Sequence, residues 1–143
     1  MSDSGATEVI EYQNARLEID GPLATFWFSD PEKLNALSPP MIEALYAALI
    51  EVAKPRRRIR CLMITGDGRA FSAGANLSSG AAKAERSRAE PPVIQSVAGT
   101  FHPLVRRLRD LEIPVVAAVN GPCVGFGFAI SLLADYIIAS EKA

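Results

Sequence analysis

The chain has 143 residues, a formal net charge of −1, 49% hydrophobic residues and 22% charged residues. That length suits one globular domain over 1–143 with a modest core, and the hydrophobic share excludes a disordered chain. The near-neutral balance offers no general attraction to nucleic acid or to an anionic membrane, so neither is expected as a partner.

The opening "MSDSGATEVIEYQ" lacks the basic start and apolar run of a signal peptide and carries acids that a transit peptide avoids. Cys61 and Cys123 lie in apolar surroundings without metal-ligand spacing and read as reduced core thiols. Together these point to a cytoplasmic setting and to no metal site. "ARLEID" alternates apolar and polar residues, "GP" turns the chain and "LATFWFS" resumes with β-branched and aromatic residues, which predicts a hairpin over 15–29. "SPPMIEALYAALIEVAK" predicts a helix with Ser38 as N-cap, prolines in the first turn and Met41, Leu45, Ala48, Leu49 and Val52 on one face. "KPRRRIR", five cations in seven residues, reads as a solvated turn after that helix.

"RCLMITG" predicts a third strand, followed by the glycine-punctuated loop "GDGRAFSAGANLSSG"; loops of that length inside compact domains are usually functional or mobile. Residues 78–92 have the composition of a flexible segment. Helical spacing of Val97, Phe101, Leu104, Val105 and Leu108 predicts a helix over 93–111 that Pro103 should kink or interrupt. "IPVVAAVNG" predicts a fully buried strand, "FGFAISLLA" the next helix and "DYIIAS" a further short strand. Residues 113–134 carry no charge, but "NGP" in their middle argues for strand, turn and helix rather than a membrane span. Strands alternating with helices give an α/β class with crossover connections.

Two glycine loops could do chemistry. Gly121, Gly125 and Gly127 stand at the start of a helix, where the N–H groups of Phe126 and Gly127 are expected as unpaired first-turn donors. Their spacing is neither the dinucleotide fingerprint nor a Walker A loop. In "FSAGANL", Gly74 permits a turn that exposes the Ala75 N–H. Two such donors would make an oxyanion hole, which needs no acid, base or nucleophile of its own.

"KLNALS" at 33–38, "GDGRAFSAGANL" at 66–77 and "PVVAAVNGPCVGFGFAISLLADYIIASEKA" at 114–143 resemble, in order, the signature blocks of the crotonase, or enoyl-CoA hydratase/isomerase, superfamily. The resemblance implies a spiral of ββα units, incomplete at its C-terminus, that binds an acyl-coenzyme A thioester and assembles as a homo-trimer or hexamer. Coenzyme A would be part of the substrate, with no separate cofactor. The thioester oxygen would sit between the N–H groups of Ala75 and Phe126, with the Phe126 ring turned away from the thioester. Lys33, Leu34, Ala36, Ala73, Gly74, Asn76, Leu77 and Gly125 would line the substrate, and the arginines at 56–60 could meet the coenzyme's phosphates.

The hydratases of that superfamily use two glutamates, one of them three residues after the second donor, a position that is Ala129 here. A methyl group cannot activate water. The resemblance is therefore to the isomerase branch, in which one base takes a proton from C2 and returns it at C4, and that base is expected beyond Ala143. An atypical hydratase and a non-catalytic acyl-CoA binder are the alternatives. Asp135 reads as structural, His102 as a surface or packing residue, and Ser72 and Ser131 have no adjacent base that would make either a nucleophile.

Overall fold

The computed structural model describes residues 6–75, 99 and 101–143. The strands are β1 (Glu8–Tyr12), β2 (Ala15–Asp20), β3 (Leu23–Phe28), β4 (Cys61–Gly66), β5 (Val115–Val119) and β6 (Tyr136–Ala139), and they form one sheet in sequential order. β1, β2 and β3 pair antiparallel through tight turns, whereas β3 to β6 are parallel. Parallel neighbours need crossovers. Among the described residues these contain α1 (Pro39–Val52), α2 (His102–Arg109) and α3 (Phe126–Leu132).

The expected α/β order and the 15–29 hairpin are present, and β1 is an additional strand ahead of them. Its side chains are exposed or only half-buried, so "EVIEY" lacks the strict alternation that marked its neighbours. It is held by pairing with β2 and by Arg57, whose guanidinium reaches Glu8 at 2.6 Å.

One face of the sheet makes the core. In register, Leu17, Phe26, Ile64 and Ala117 form one row and Ile19, Ala24, Leu62 and Val115 the next, all buried. Every apolar residue assigned to the inner face of α1 is buried there. The opposite face carries Trp27, Thr65 and Ala118 in one row and Thr25, Met63 and Val116 in another. Val116 and Ala118 are only half-buried, so β5 is a one-faced strand rather than the fully buried one its composition suggested.

Several expectations need correction. Ser38 occupies the N-cap position, yet its buried hydroxyl has no partner among the described residues. Pro39 and Pro40 have removed two of the four N–H groups a cap would serve. Pro103 lies in the first turn of α2, where a missing N–H costs nothing, and the regular helix starts only at His102. The rest of the helix expected over 93–111, up to residue 98, and the segment 78–92 lie outside the described residues. Cys61 and Cys123 are free but half-buried, not core. The uncharged run 113–134 folds as β5, a turn and α3, and no described helix is long and apolar enough to cross a membrane.

Short bridged segments add a second element to each turn of the chain. Leu37 bridges Ala75, and Ser72 bridges Cys123, both in parallel. The path therefore runs long strand, short bridged segment, helix, and the bridged segments lie beyond the carboxyl ends of β3, β4 and β5. In open parallel sheets that end is where ligands bind.

Candidate active site at the carboxyl ends of β4 and β5

The loop leaving β4 is built around backbone that admits no side chain. A Cβ on Gly66 would fall 2.2 Å from the Ala70 carbonyl oxygen. Asp67 donates its N–H to Phe28 (2.8 Å), and its carboxylate accepts from Arg16 at 2.7 Å. Arg16 also lies 4.5 Å over the Trp27 ring, which fixes the guanidinium between strand and loop.

Asn35 is the centre of this region. It is fully buried at φ 54°, a left-handed conformation that asparagine tolerates better than most residues. Its amide nitrogen donates to the carbonyls of Asp67 and Ala70, both at 2.8 Å, and its side-chain oxygen accepts from the Asp30 N–H at 2.8 Å. The Ser72 hydroxyl donates to the Asn35 carbonyl (2.8 Å) and accepts from the Gly74 N–H (3.2 Å). With both roles filled and the residue buried, Ser72 is a brace and not a nucleophile. Ala73 N–H donates to Leu34 and Leu37 N–H to Gly74, so the segment 34–37 is stitched to 73–75.

The loop leaving β5 docks on this one. Ser72 N–H donates to Pro122 and Val124 N–H to Ser72, forming the Ser72–Cys123 bridge. Beyond the bridge the same offset sets Gly74 against Gly125. The packing follows that register: a Cβ on Gly74 would stand 2.9 Å from the Val124 carbonyl oxygen and 3.5 Å from the Phe126 nitrogen. Gly74 has φ 84° and Gly125 φ 56°, so both carry conformations suited to glycine. Asn120 ties the two loops again, accepting from Gly66 N–H and donating to the carbonyls of Gly68 and Ala70.

The amides that follow the paired glycines are those of Ala75 and Phe126. Neither has an acceptor among the described residues. Gly127 does not share this property: its N–H donates to Val124 at 3.1 Å, which corrects the expectation of two open donors at that turn. Ala75 is exposed, while the half-buried Phe126 ring stacks on Phe101 with centroids 3.8 Å apart. Leu34 and Ala36 lie half-buried beside the loop, and Lys33 is exposed and 3.8 Å from Asp30. Asn76 and Leu77 lie outside the described residues.

A family profile described as "Enoyl-CoA hydratase/isomerase" matches residues 18–143. The chain belongs to the enoyl-CoA hydratase/isomerase family. It is 36% identical over 134 residues to a Rhodobacter capsulatus protein named "Probable enoyl-CoA hydratase", covering 94% of this chain and 49% of that protein. It is 35% identical over 128 residues to the 1,2-epoxyphenylacetyl-CoA isomerase of Escherichia coli, covering 87% and 47%. Among solved structures, an enoyl-CoA hydratase subunit from Geobacillus kaustophilus aligns with TM-score 0.77 at 30% identity, covering 94% of this chain and 49% of that one. An enoyl-CoA hydratase/carnitine racemase from Magnetospirillum magneticum aligns with TM-score 0.80 at 26% identity, covering 92% and 48%. The chain thus spans about half the length of these relatives, and its α/β architecture is the corresponding part of the crotonase fold.

Within this family setting the neutral residues around the two amides stand out. Ala129, one turn into α3, is exposed and its methyl carries no exchangeable proton. Asp135 accepts from the Val115 N–H at 2.8 Å and returns its own N–H to Val115 at 2.9 Å, which joins β6 to β5. His102 is exposed on α2. Burial pushes the Cys123 thiol above its ordinary pKa, with the Ser131 hydroxyl 3.8 Å away pulling the other way. Ser131 itself is buried and donates to the Phe128 carbonyl. In the cationic turn, Lys54, Arg56 and Arg57 are paired with Glu51, as a solvated structural turn would have them. Sequence reading missed the bracing of Asn35 and Asn120; the only signal was an asparagine in each turn.

Proposed function

We propose that the protein binds an acyl-CoA thioester with its carbonyl oxygen between the Ala75 and Phe126 amides, and shifts the double bond of an enoyl-CoA through an enolate. The observation that carries this reading is the register that presses Gly74 against Gly125 and leaves the next amide on each strand without an acceptor among the described residues. A base removes a proton from C2 and the electron pair spreads onto the thioester oxygen. The same proton is returned at C4, and the double bond moves from the 3- to the 2-position. The dienolate's charge is shared by C2, C4 and the oxygen, with the oxygen carrying most of it, and one preorganised donor contributes about 3 kcal/mol to stabilising it.

Leu34, Ala36, Ala73, Gly74 and Gly125, with Lys33, Asn76 and Leu77, contact the acyl-CoA in this reading, and coenzyme A is part of the substrate. Ala129 supports isomerisation over hydration because water addition needs an acid–base group where this chain has a methyl. The single base is an Asp or Glu in the half of the family fold that this chain does not match. The decisive assay compares 3-enoyl-CoA isomerisation with water addition to crotonyl-CoA by the natural protein. Isomerisation is expected to exceed hydration by about a hundredfold or more. Hydration at an ordinary enzymatic rate, the reading favoured by the hydratase-named relatives, would overturn it.

A further inference from the structure

The second amide is carried by a phenylalanine whose side chain is anchored. On one side of the 125–126 peptide stands Gly125 at φ 56°, ψ −126°, a conformation that side chains resist. On the other side the Phe126 ring lies flat on Phe101, planes within 7° of each other. Phe101 is 8% exposed, belongs to the main core cluster and immediately precedes α2. The stack therefore joins the donor peptide to the core through a residue distant in sequence.

We infer that Phe101 is a positioning residue for the Phe126 amide: by holding the Phe126 ring it fixes the rotation of the peptide whose N–H meets the thioester oxygen. This rests on the oxyanion reading above. The reason is mechanical. Gly125 and Gly127 flank the donor, and a glycine-rich stretch can rotate its peptides at little cost. Gly127 is already pinned, since a Cβ there would come 2.6 Å from the Ser72 side chain. The 125–126 peptide is held at its carbonyl edge, where Gly125 accepts from the Ala129 N–H at 3.0 Å, and the stacked Phe126 ring supplies the hold on its donor side. A donor stabilises a developing charge most when it need not reorient as the charge forms.

Phe101→Leu keeps the site apolar and removes the flat partner; Phe101→Tyr keeps the ring. The readouts are kcat and KM for enoyl-CoA isomerisation, and the red shift in absorbance when the protein binds an aryl-conjugated enoyl-CoA bearing an electron-donating ring substituent. That shift reports polarisation of the thioester carbonyl. Phe101→Leu is expected to lower kcat about ten- to a hundredfold with KM within about twofold, and to shrink the red shift of the bound ligand. Phe101→Tyr should restore both. Should Phe101→Leu fail to fold, Phe101→Met takes its place with the same expectation. A full red shift and unchanged kcat in the Leu or Met variant would overturn the inference while leaving the oxyanion reading intact. No red shift in the unsubstituted protein would remove both.

Discussion

Gly125 and Gly127 are required for different reasons, and substitution separates them. At Gly127 the obstacle is space, because an added Cβ would lie 2.6 Å from Ser72 Cβ and 2.8 Å from its Oγ. Gly127→Ala should cost about 1–3 kcal/mol of stability as α3 is pushed off the Ser72 loop, read as a lower urea midpoint. At Gly125 a Cβ would meet nothing closer than 3.6 Å, so the obstacle is the backbone conformation alone. Gly125→Ala should relax that conformation, turn the Phe126 amide and abolish most of the proposed enoyl-CoA isomerisation. Asn35→Ala would strand the Asp30 N–H and the Asp67 carbonyl and leave the Ala70 carbonyl with only the longer bond from Asn120, and is expected to cost on the order of 2 kcal/mol in the same denaturation experiment.

Among the elements, α1 ends in an ion-pair cluster that fastens β1. Hydrogen bonds from Lys54 and then Arg57 hold the Glu51 carboxyl below the usual carboxylate range. A lowered folded pKa means that its contribution is complete above the ordinary carboxylate value and is lost as pH falls through the folded one. The stability difference between the natural protein and Glu51→Gln should therefore be present at pH 7 and close on acidification below pH about 4. At the other end of α1, Ser38→Ala should change the urea midpoint little, because the hydroxyl makes no cap bond, whereas a working cap costs about 1 kcal/mol when removed. Strands and helices with a regular apolar period were legible in the sequence, as the inner face of α1 and the β2–β3 hairpin demonstrate. β1 was not, because a half-exposed edge strand is set by its partner rather than by its own pattern. Two open amides at the α3 turn were expected and one is found, since a carbonyl three residues back decides whether an N–H is taken, and composition does not encode that. The Phe101–Phe126 stack and the Asn35 brace were equally hidden, being contacts between distant segments.

For the whole molecule, sequential strand order places the ends of β4 and β5 side by side, and the two glycine loops meet there because their strands are neighbours in the parallel sheet. Fold and site are thus linked: neighbouring parallel strands deliver their loops to the same end of the sheet, where Ser72 bridges Cys123 and Gly74 packs on Gly125. The relatives carry about as much chain again. The outer surface formed by α3 and β6 exposes Phe128, Leu132, Tyr136 and Ile138 among the described residues. The central claim, that the two amides polarise one thioester oxygen, is tested most directly by isotope-edited infrared spectroscopy of a carbonyl-¹³C acyl-CoA bound to the natural protein and to Gly125→Ala. The bound carbonyl stretch is expected at lower frequency than in the free thioester, with much of that displacement lost in the variant. A bound carbonyl that vibrates at the free frequency in the natural protein would contradict it.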